Sequence, residues 1–465
     1  MFWGNKSYKR TATSINDDSH ENLSYDALSE TCEQISKFLS VKRKRQLGLL
    51  FCDNTTMWLC AYISILRSGN IPLLVPSSIK EQYKADLIEN FHISWEWKVE
   101  NVNCGSNFFE NVKSGFKFYN SLHEELETPE LALMLGTSGT TGSPKYVMIS
   151  YRALQANADS ISKYLNLSFR DKCLTTLPPS YSYGLSVINS HLNSEASIRF
   201  SNLSPMNRGF YEVIDKESVT NISGVPTLYE MYWRTGMLKK QFSNLRFITQ
   251  AGGHLKSTIK EDFSSFCSKN NIEFFVMYGQ TEATARMSYV PPKALHKKIE
   301  SIGVPIPGGE FSIDSKTSEL IYKGDNVMSG YAENFNEVSN NYKTDLILKT
   351  GDLAKKDSDG YYYITGRIKR IIKINGLRFN LDEIEKTICS SLDEDICVTG
   401  KDGKLCIAFA KSNRLDNESI LTLIKPYLKE LNLFKHQYEV IEFNKLPKLS
   451  NGKINYKEII DSIKK

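Results

Sequence analysis

Apolar runs of strand length alternate with segments of helical period through most of the chain, which restricts it to α/β architecture with largely parallel sheets. LGLLF from Leu47, IPLLV from Ile71, LALML from Leu131 and LRFIT from Leu245 have strand length, while YDALSETCEQISKFLS from Tyr25 has a helix's periodicity. With 465 residues and 41% hydrophobic content, the chain is too long for one ordinary core and requires at least two domains. Its 58 Lys and Arg are interleaved with 53 Asp and Glu, and a net charge of +5 gives no case for a nucleic-acid partner. VKRKRQ from Val41 reads as a solvated turn before a strand. The nine cysteines form no CxxC pair and have no His-rich neighbour, the pattern of reduced thiols in a cytoplasmic protein without structural zinc. MFWGNKSYKR at the start lacks a signal peptide's apolar core, and MWLCAYISIL from Met57 is interrupted by Arg67 well short of a bilayer span. A cytoplasmic chain with no membrane span is expected.

The loop after LALML is TSGTTGSPK, from Thr137 to Lys145. Gly139 and Gly142 admit backbone conformations that other residues resist, Thr137, Ser138, Thr140 and Thr141 offer hydroxyl donors, and Lys145 adds a charge. Together they read as a cradle for a polyphosphate, although a plain Gly/Ser/Thr turn would carry the same residues. Ser143 and Pro144 separate the last glycine from Lys145, so this is no Walker loop, in which Lys follows Gly directly.

The loop heads a series of blocks: GVPTLY at Gly224, QAGG at Gln250, YGQTEA at Tyr278, SIGVPIPGG at Ser301, TGD at Thr350, GRIKR at Gly366 and LSNGK ending at Lys453. In this order, and over nearly the whole chain from Leu23 to Lys453, the sequence resembles the adenylate-forming superfamily of acyl-CoA synthetases, nonribosomal adenylation domains and beetle luciferases. The resemblance implies an AMP- and acyl-binding N-terminal domain of α/β subdomains over residues 1–366, a hinge at 367–370, and a small mobile α+β domain over 371–465. Beyond GRIKR, a strand-like IIKIN, a turn at Gly376, a helix DEIEKTICSSL, a strand LCIAFA and a helix ESILTLIKPYLKEL fit that mixed domain. The stretch from Asn101 to Glu127 carries no motif and reads as a peripheral connection.

The resemblance also implies roles. The cradle would hold ATP's pyrophosphate, and Glu282 would bind Mg²⁺, a hard carboxylate on a hard cation. Tyr278 would stack on adenine, though a tyrosine ending an apolar run could equally be core. Gly279 would lie at the same nucleotide site, and Thr281 would contact the α-phosphate region. Gly252 and Gly253 would approach adenine and the acyl group, with His254 where proline often stands. Asp352 would accept from the ribose hydroxyls and Arg367 would reach the sugar or phosphates; alone, each could be half of a surface ion pair. Lys453 would be the catalytic lysine, bridging substrate carboxylate and α-phosphate. Lys369 falls at the hinge, and Gly376 would line a pantetheine tunnel as well as make a turn.

Two positions depart from the pattern. In LPPSYSYGLSVINSHL, Tyr181 stands where acyl-CoA synthetases often carry histidine, followed by Tyr183 and Gly184. Ser182 stands where amino-acid-activating relatives place the aspartate that pairs with the substrate ammonium, which disfavours a free α-amino acid. The expected activity is adenylation of a small carboxylic acid, then thioester formation on CoA or a carrier protein's phosphopantetheine. Amino-acid adenylation, a luciferase-like oxygenase and a non-catalytic nucleotide-binding module are the alternatives.

Overall fold

The computed structural model describes residues 1–4, 14–19, 22–42, 45–101, 107–119, 126–136, 145–375, 377–391, 396–411, 417–448 and 454–462. Contacts divide the chain into two compact units, the first spanning Met1–Thr137, Ser143–Phe311 and Tyr322–Leu348, the second Ser138–Gly142, Ser312–Ile321 and Lys349–Lys465.

Two sheets organise the first unit. The larger has nine strands in the order Val304–Pro305, Ser288–Val290, Glu273–Tyr278, Phe247–Gln250, Asn221–Gly224, Lys172–Thr175, Ser197–Phe200, Ser14–Asn16 and Asn22–Ser24. Its central strands are parallel and its edges antiparallel. The second has seven strands built around Leu131–Gly136, Ile71–Pro76, Leu47–Cys52 and Trp95–Trp97, all parallel. Leu131–Gly136, Ile71–Pro76 and Leu47–Cys52 are apolar along nearly their whole length, as strands of a parallel sheet covered on both faces are, while Trp95–Trp97 carries the buried Glu96, which pairs with Lys84.

The apolar stretch at Met57 is a core helix, Thr56–Ser68, with Thr55 capping Trp58 N–H and Gly69 closing it at φ 77°. Arg67, which interrupts that stretch, donates to the carbonyls of Trp3, Gly4 and Ser29, so its charge is spent on backbone acceptors. No helix among the described residues is long and apolar enough to cross a membrane.

Two local expectations need correction. Arg45, in the basic stretch, is not merely solvated: its guanidinium donates to the carbonyls of Gly69, Thr128 and Leu131 and ties three segments together. The motif-free stretch after Asn101 contains a helix, Phe108–Ser114, and a strand, Phe116–Phe118, that pairs with Trp95–Trp97 as a sheet edge. Trp97 Nε1 donates to Val112 O, so the burial of one indole recruits the segment.

In the second unit, Ile371–Ile374 and Leu377–Asn380 form a hairpin ahead of helix Leu381–Ser391. Strands Ile396–Lys401, Lys404–Ala410 and Tyr438–Phe443 make a small mixed sheet. Its core joins Ile374, Ile384 and Ile388 to Val398, Ile407 and, from helix Asn417–Glu430, Ile420 and Ile424.

Candidate active site

Parallel strands present the loops at their C-terminal ends as a ligand-binding rim. In the large sheet, Gly224, Gln250 and Tyr278 each end a parallel strand, so GVPTLY, QAGG and YGQTEA all emerge at one rim. LPPSYSYG follows the neighbouring strand Lys172–Thr175 and leads into the buried helix Ser182–Asn193.

Side chains tie these loops together. Ser182 Oγ lies 3.2 Å from Thr281 Oγ1, joining the tyrosine block to YGQTEA. Gly252 has φ +89°, and a Cβ there would come within 2.5 Å of the Tyr181 hydroxyl, so QAGG and the tyrosine block touch at a point where only glycine fits without displacement. Tyr183 is buried and donates to Thr249 O at 2.9 Å. Burial pushes both tyrosine hydroxyls above the usual phenol range, and Arg286 nearby draws them partly back.

The YGQTEA loop is tightly folded. A Cβ on Gly279 would overlap the Ala285 carbonyl oxygen, so the chain turns back on itself at a bare Cα. Thr284 sits at φ 62°, unusual for a β-branched residue, and its hydroxyl donates to Asn326 O at 2.7 Å. The Asn326 amide donates to the carbonyls of both Ala283 and Arg286, and Tyr322 donates to Asn326 Oδ1. Asn326 thus holds the loop in its strained shape. It lies in a GDN segment with no local signal of this role, and only the tertiary structure identifies it.

Tyr278 is partly exposed beside Phe311, with ring centroids 6.5 Å apart, rather than sealed in the core. Gln280 Nε2 donates to its hydroxyl. Glu282 is also partly exposed, and the Tyr331 hydroxyl donates to its Oε1 at 2.8 Å. Among the described residues no group of three His, Cys, Asp or Glu could hold a metal ion. The donor set fits Mg²⁺ even so, because that ion keeps several waters and takes substrate phosphate oxygens alongside one or two carboxylates.

Lys145 forms an ion pair with Glu333 at 2.9 Å, and that contact raises its pKa. Gly136 and Tyr146, on either side of the cradle, are paired in an antiparallel ladder. Thr137, Ser138, Gly139, Thr140, Thr141 and Gly142 lie outside the described residues, as do Gly376 and Lys453. Gly253 is exposed beside Pro226, and its carbonyl accepts from Gln250.

In the second unit, strand register sets Asp352 opposite Arg367, and the Arg367 Nε approaches Asp352 Oδ1 to 2.8 Å. Asp352 is only 2% exposed while Arg367 is 59% exposed, so the carboxylate is fixed and the guanidinium keeps an open face. Three residues on, Arg370 pairs with Asp382 at 2.6 Å and Glu385 at 3.0 Å. Ile368 and Lys369 are thus exposed residues between two anchored arginines.

A family model described as AMP-binding enzyme matches residues 3–332. The chain belongs to that family. Among AMP-binding enzymes it is similar to the 2-succinylbenzoate–CoA ligase of Listeria monocytogenes, 24% identical over 93% of this chain and 94% of the ligase. It is also 26% identical to the feruloyl-CoA synthase of an Amycolatopsis species, over 70% of this chain and 68% of that enzyme. The fold is that of the adenylating enzymes: the o-succinylbenzoate CoA synthetase of Bacillus subtilis, solved with its acyl-adenylate intermediate, superposes with a TM-score of 0.76 at 19% identity, covering 97% of this chain and 96% of that one.

Proposed function

We propose that this AMP-binding enzyme is an acid–thiol ligase: it uses ATP and Mg²⁺ to convert a carboxylic acid to an acyl-adenylate, releasing pyrophosphate, and then transfers the acyl group to the thiol of CoA. The observation that carries this reading is the Ser182–Thr281 contact, which sets the block expected to shape the acyl pocket against the block expected to handle phosphate and Mg²⁺.

Adenylation must hold two anions in line and stabilise charge that builds on phosphorus. Thr137–Gly142 and Lys145 take the pyrophosphate, Thr281 donates toward the α-phosphate, and Lys453 brings an ammonium to the substrate carboxylate and the α-phosphate. Glu282 would hold Mg²⁺, which when bound neutralises phosphate charge. Tyr278 packs on adenine, with Gly279, Gly252 and Gly253 giving the ligand room to approach. Asp352 accepts from the ribose hydroxyls, and Arg367 contacts the sugar or phosphates through its open face. Lys369 is the pivot of a hinge over 367–370, ahead of a mobile domain over 371–465 in which Gly376 lines the thiol's path.

Ser182 meets Thr281 rather than offering a carboxylate, which argues against a free α-amino acid. Tyr181 and Tyr183, together with relatives named for succinylbenzoate and ferulate, favour an aromatic acid. The test is mass spectrometry of a panel of aromatic, aliphatic and amino acids incubated with ATP, Mg²⁺ and CoA. An acid-dependent acyl-CoA with stoichiometric AMP is expected. AMP release without any thioester would move the acceptor to a carrier protein, and no acid-dependent AMP would refute the reading.

A further inference from the structure

We propose that Arg286 is a specificity residue which pairs with a second carboxylate on the acid, so that the substrate class is dicarboxylic. This rests on the reading of the site as an acyl-activating pocket and adds the identity of the acid's far end.

Arg286 is 3% exposed. Its Nε points to Met277 Sδ at 3.3 Å, and its guanidinium carbon lies 3.9 Å from the centroid of the Tyr183 ring. Among the described residues no Asp or Glu comes within ion-pair distance of it. Arg199, comparably buried, shows the ordinary arrangement: it pairs with Asp18 at 2.9 Å and with Glu217 at 2.7 Å. A buried guanidinium loses its hydration, and a cation–π contact, a sulfur contact and a hydrogen bond with the Tyr164 hydroxyl offset part of that loss but give the charge no anionic partner. The remaining donors of its planar fork suit a carboxylate, bidentate.

The cation also stands in the right wall. Its guanidinium packs on the Tyr183 ring, whose centroid lies 6.5 Å from that of Tyr181, so it sits against the tyrosines of the acyl block. Tyr181 faces Gly252, and Ser182 next to it faces Thr281, which leaves the guanidinium beside the expected acyl pocket. The fold does not depend on this side chain for its backbone path, since the Arg286 carbonyl accepts from the amides of Asn157 and Asn326 whatever side chain stands there.

The experiment compares matched acids, 3-phenylpropanoate with its para-carboxylated analogue and octanoate with suberate. Pyrophosphate–ATP exchange and ligand-induced melting shifts are measured on the wild type, Arg286→Met and Arg286→Lys. The wild type is expected to favour the diacid of a pair by roughly 30-fold or more in kcat/KM, a contribution of about 2 kcal/mol at 1.4 kcal/mol per tenfold. Arg286→Met should abolish or reverse that preference, mainly through KM, while still exchanging with the monoacid; Arg286→Lys should retain part of it. A wild type that uses monoacids as well as diacids, or a preference that survives in Arg286→Met, overturns the proposal. If neither acid class supports exchange, the ligase reading fails by itself: a diacid melting shift seen in the wild type and lost in Arg286→Met still upholds the anion pocket, and its absence sinks that too.

Discussion

Gly252→Ala tests whether QAGG and the tyrosine block share one wall of the acyl pocket. The new methyl meets two penalties. At φ +89° an L-residue is strained, by about 1 to 2 kcal/mol, and the Cβ would stand 2.5 Å from the Tyr181 hydroxyl and 3.1 Å from Val225 Cγ1. The hydroxyl is the far end of a side chain, so Tyr181 yields by tilting, at an overpacking cost of about 1 to 2 kcal/mol. The single variant is therefore expected to lose about 2 to 4 kcal/mol, read as a lower urea midpoint at unchanged slope, and to raise KM for the acid more than KM for ATP. Tyr181→Phe removes the atom in closest conflict but leaves the backbone strain, since the next Tyr181 atom is 3.5 Å from the Cβ. The double variant Tyr181→Phe with Gly252→Ala should accordingly recover about 1 to 2 kcal/mol relative to the sum of the singles, along with part of the acid KM. Strict additivity in both measurements would refute the contact and, with it, Tyr181 as a wall residue.

Asp352→Asn should raise KM for ATP by roughly 10-fold or more, the worth of hydrogen bonds to a buried charge, with kcat less affected; an unchanged ATP KM in steady-state kinetics would make the Asp352–Arg367 pair purely structural. Burial alone would raise the Glu217 pKa, but hydrogen bonds from Lys172, Arg199 and Asn16 bring it from the ordinary 4.5 down to about 2, so its stabilisation is present above pH 4.5 and is lost as pH falls toward 2. Glu217→Gln should therefore cost about 1 kcal/mol at pH 7, a figure kept small because the carboxylate is partly exposed, and the gap to wild type in urea titrations should close below pH 4.5; a gap that does not vary with pH contradicts the ion-pair origin. Gly376→Leu should preserve pyrophosphate exchange while thioester output falls sharply, and equal loss of both would leave the thiol path without support.

Much of this was legible in the chain because it is encoded locally. LGLLF, IPLLV and LALML are strands in the structure, and YDALSETCEQISKFLS lies in helix Tyr25–Lys42. YGQTEA and QAGG were legible as blocks, since glycine is needed where a Cβ would overlap a carbonyl, as at Gly279, or where the backbone takes a positive φ against a side chain, as at Gly252. What escaped is decided at a distance. Asn326 and Tyr331 act on YGQTEA from more than forty residues away. Arg45 reads as one more basic residue in VKRKRQ until three carbonyls converge on it. Arg286 sits in an unremarkable ATARMSY, because the lack of an acidic neighbour around a buried cation is a property of packing, not of the adjacent residues. Phe116–Phe118 is too short to signal a strand and exists because Trp95–Trp97 offers it an edge.

The most direct test of the central claim is acid-dependent exchange of labelled pyrophosphate into ATP, measured without CoA on the wild type and on Lys453→Ala. The account predicts robust exchange in the wild type with its acid and Mg²⁺, and a fall on the order of 10² to 10³ in the variant, the scale of losing a donor aimed at transition-state charge. Exchange near the wild-type rate in Lys453→Ala, or exchange that proceeds equally without any acid, would contradict it.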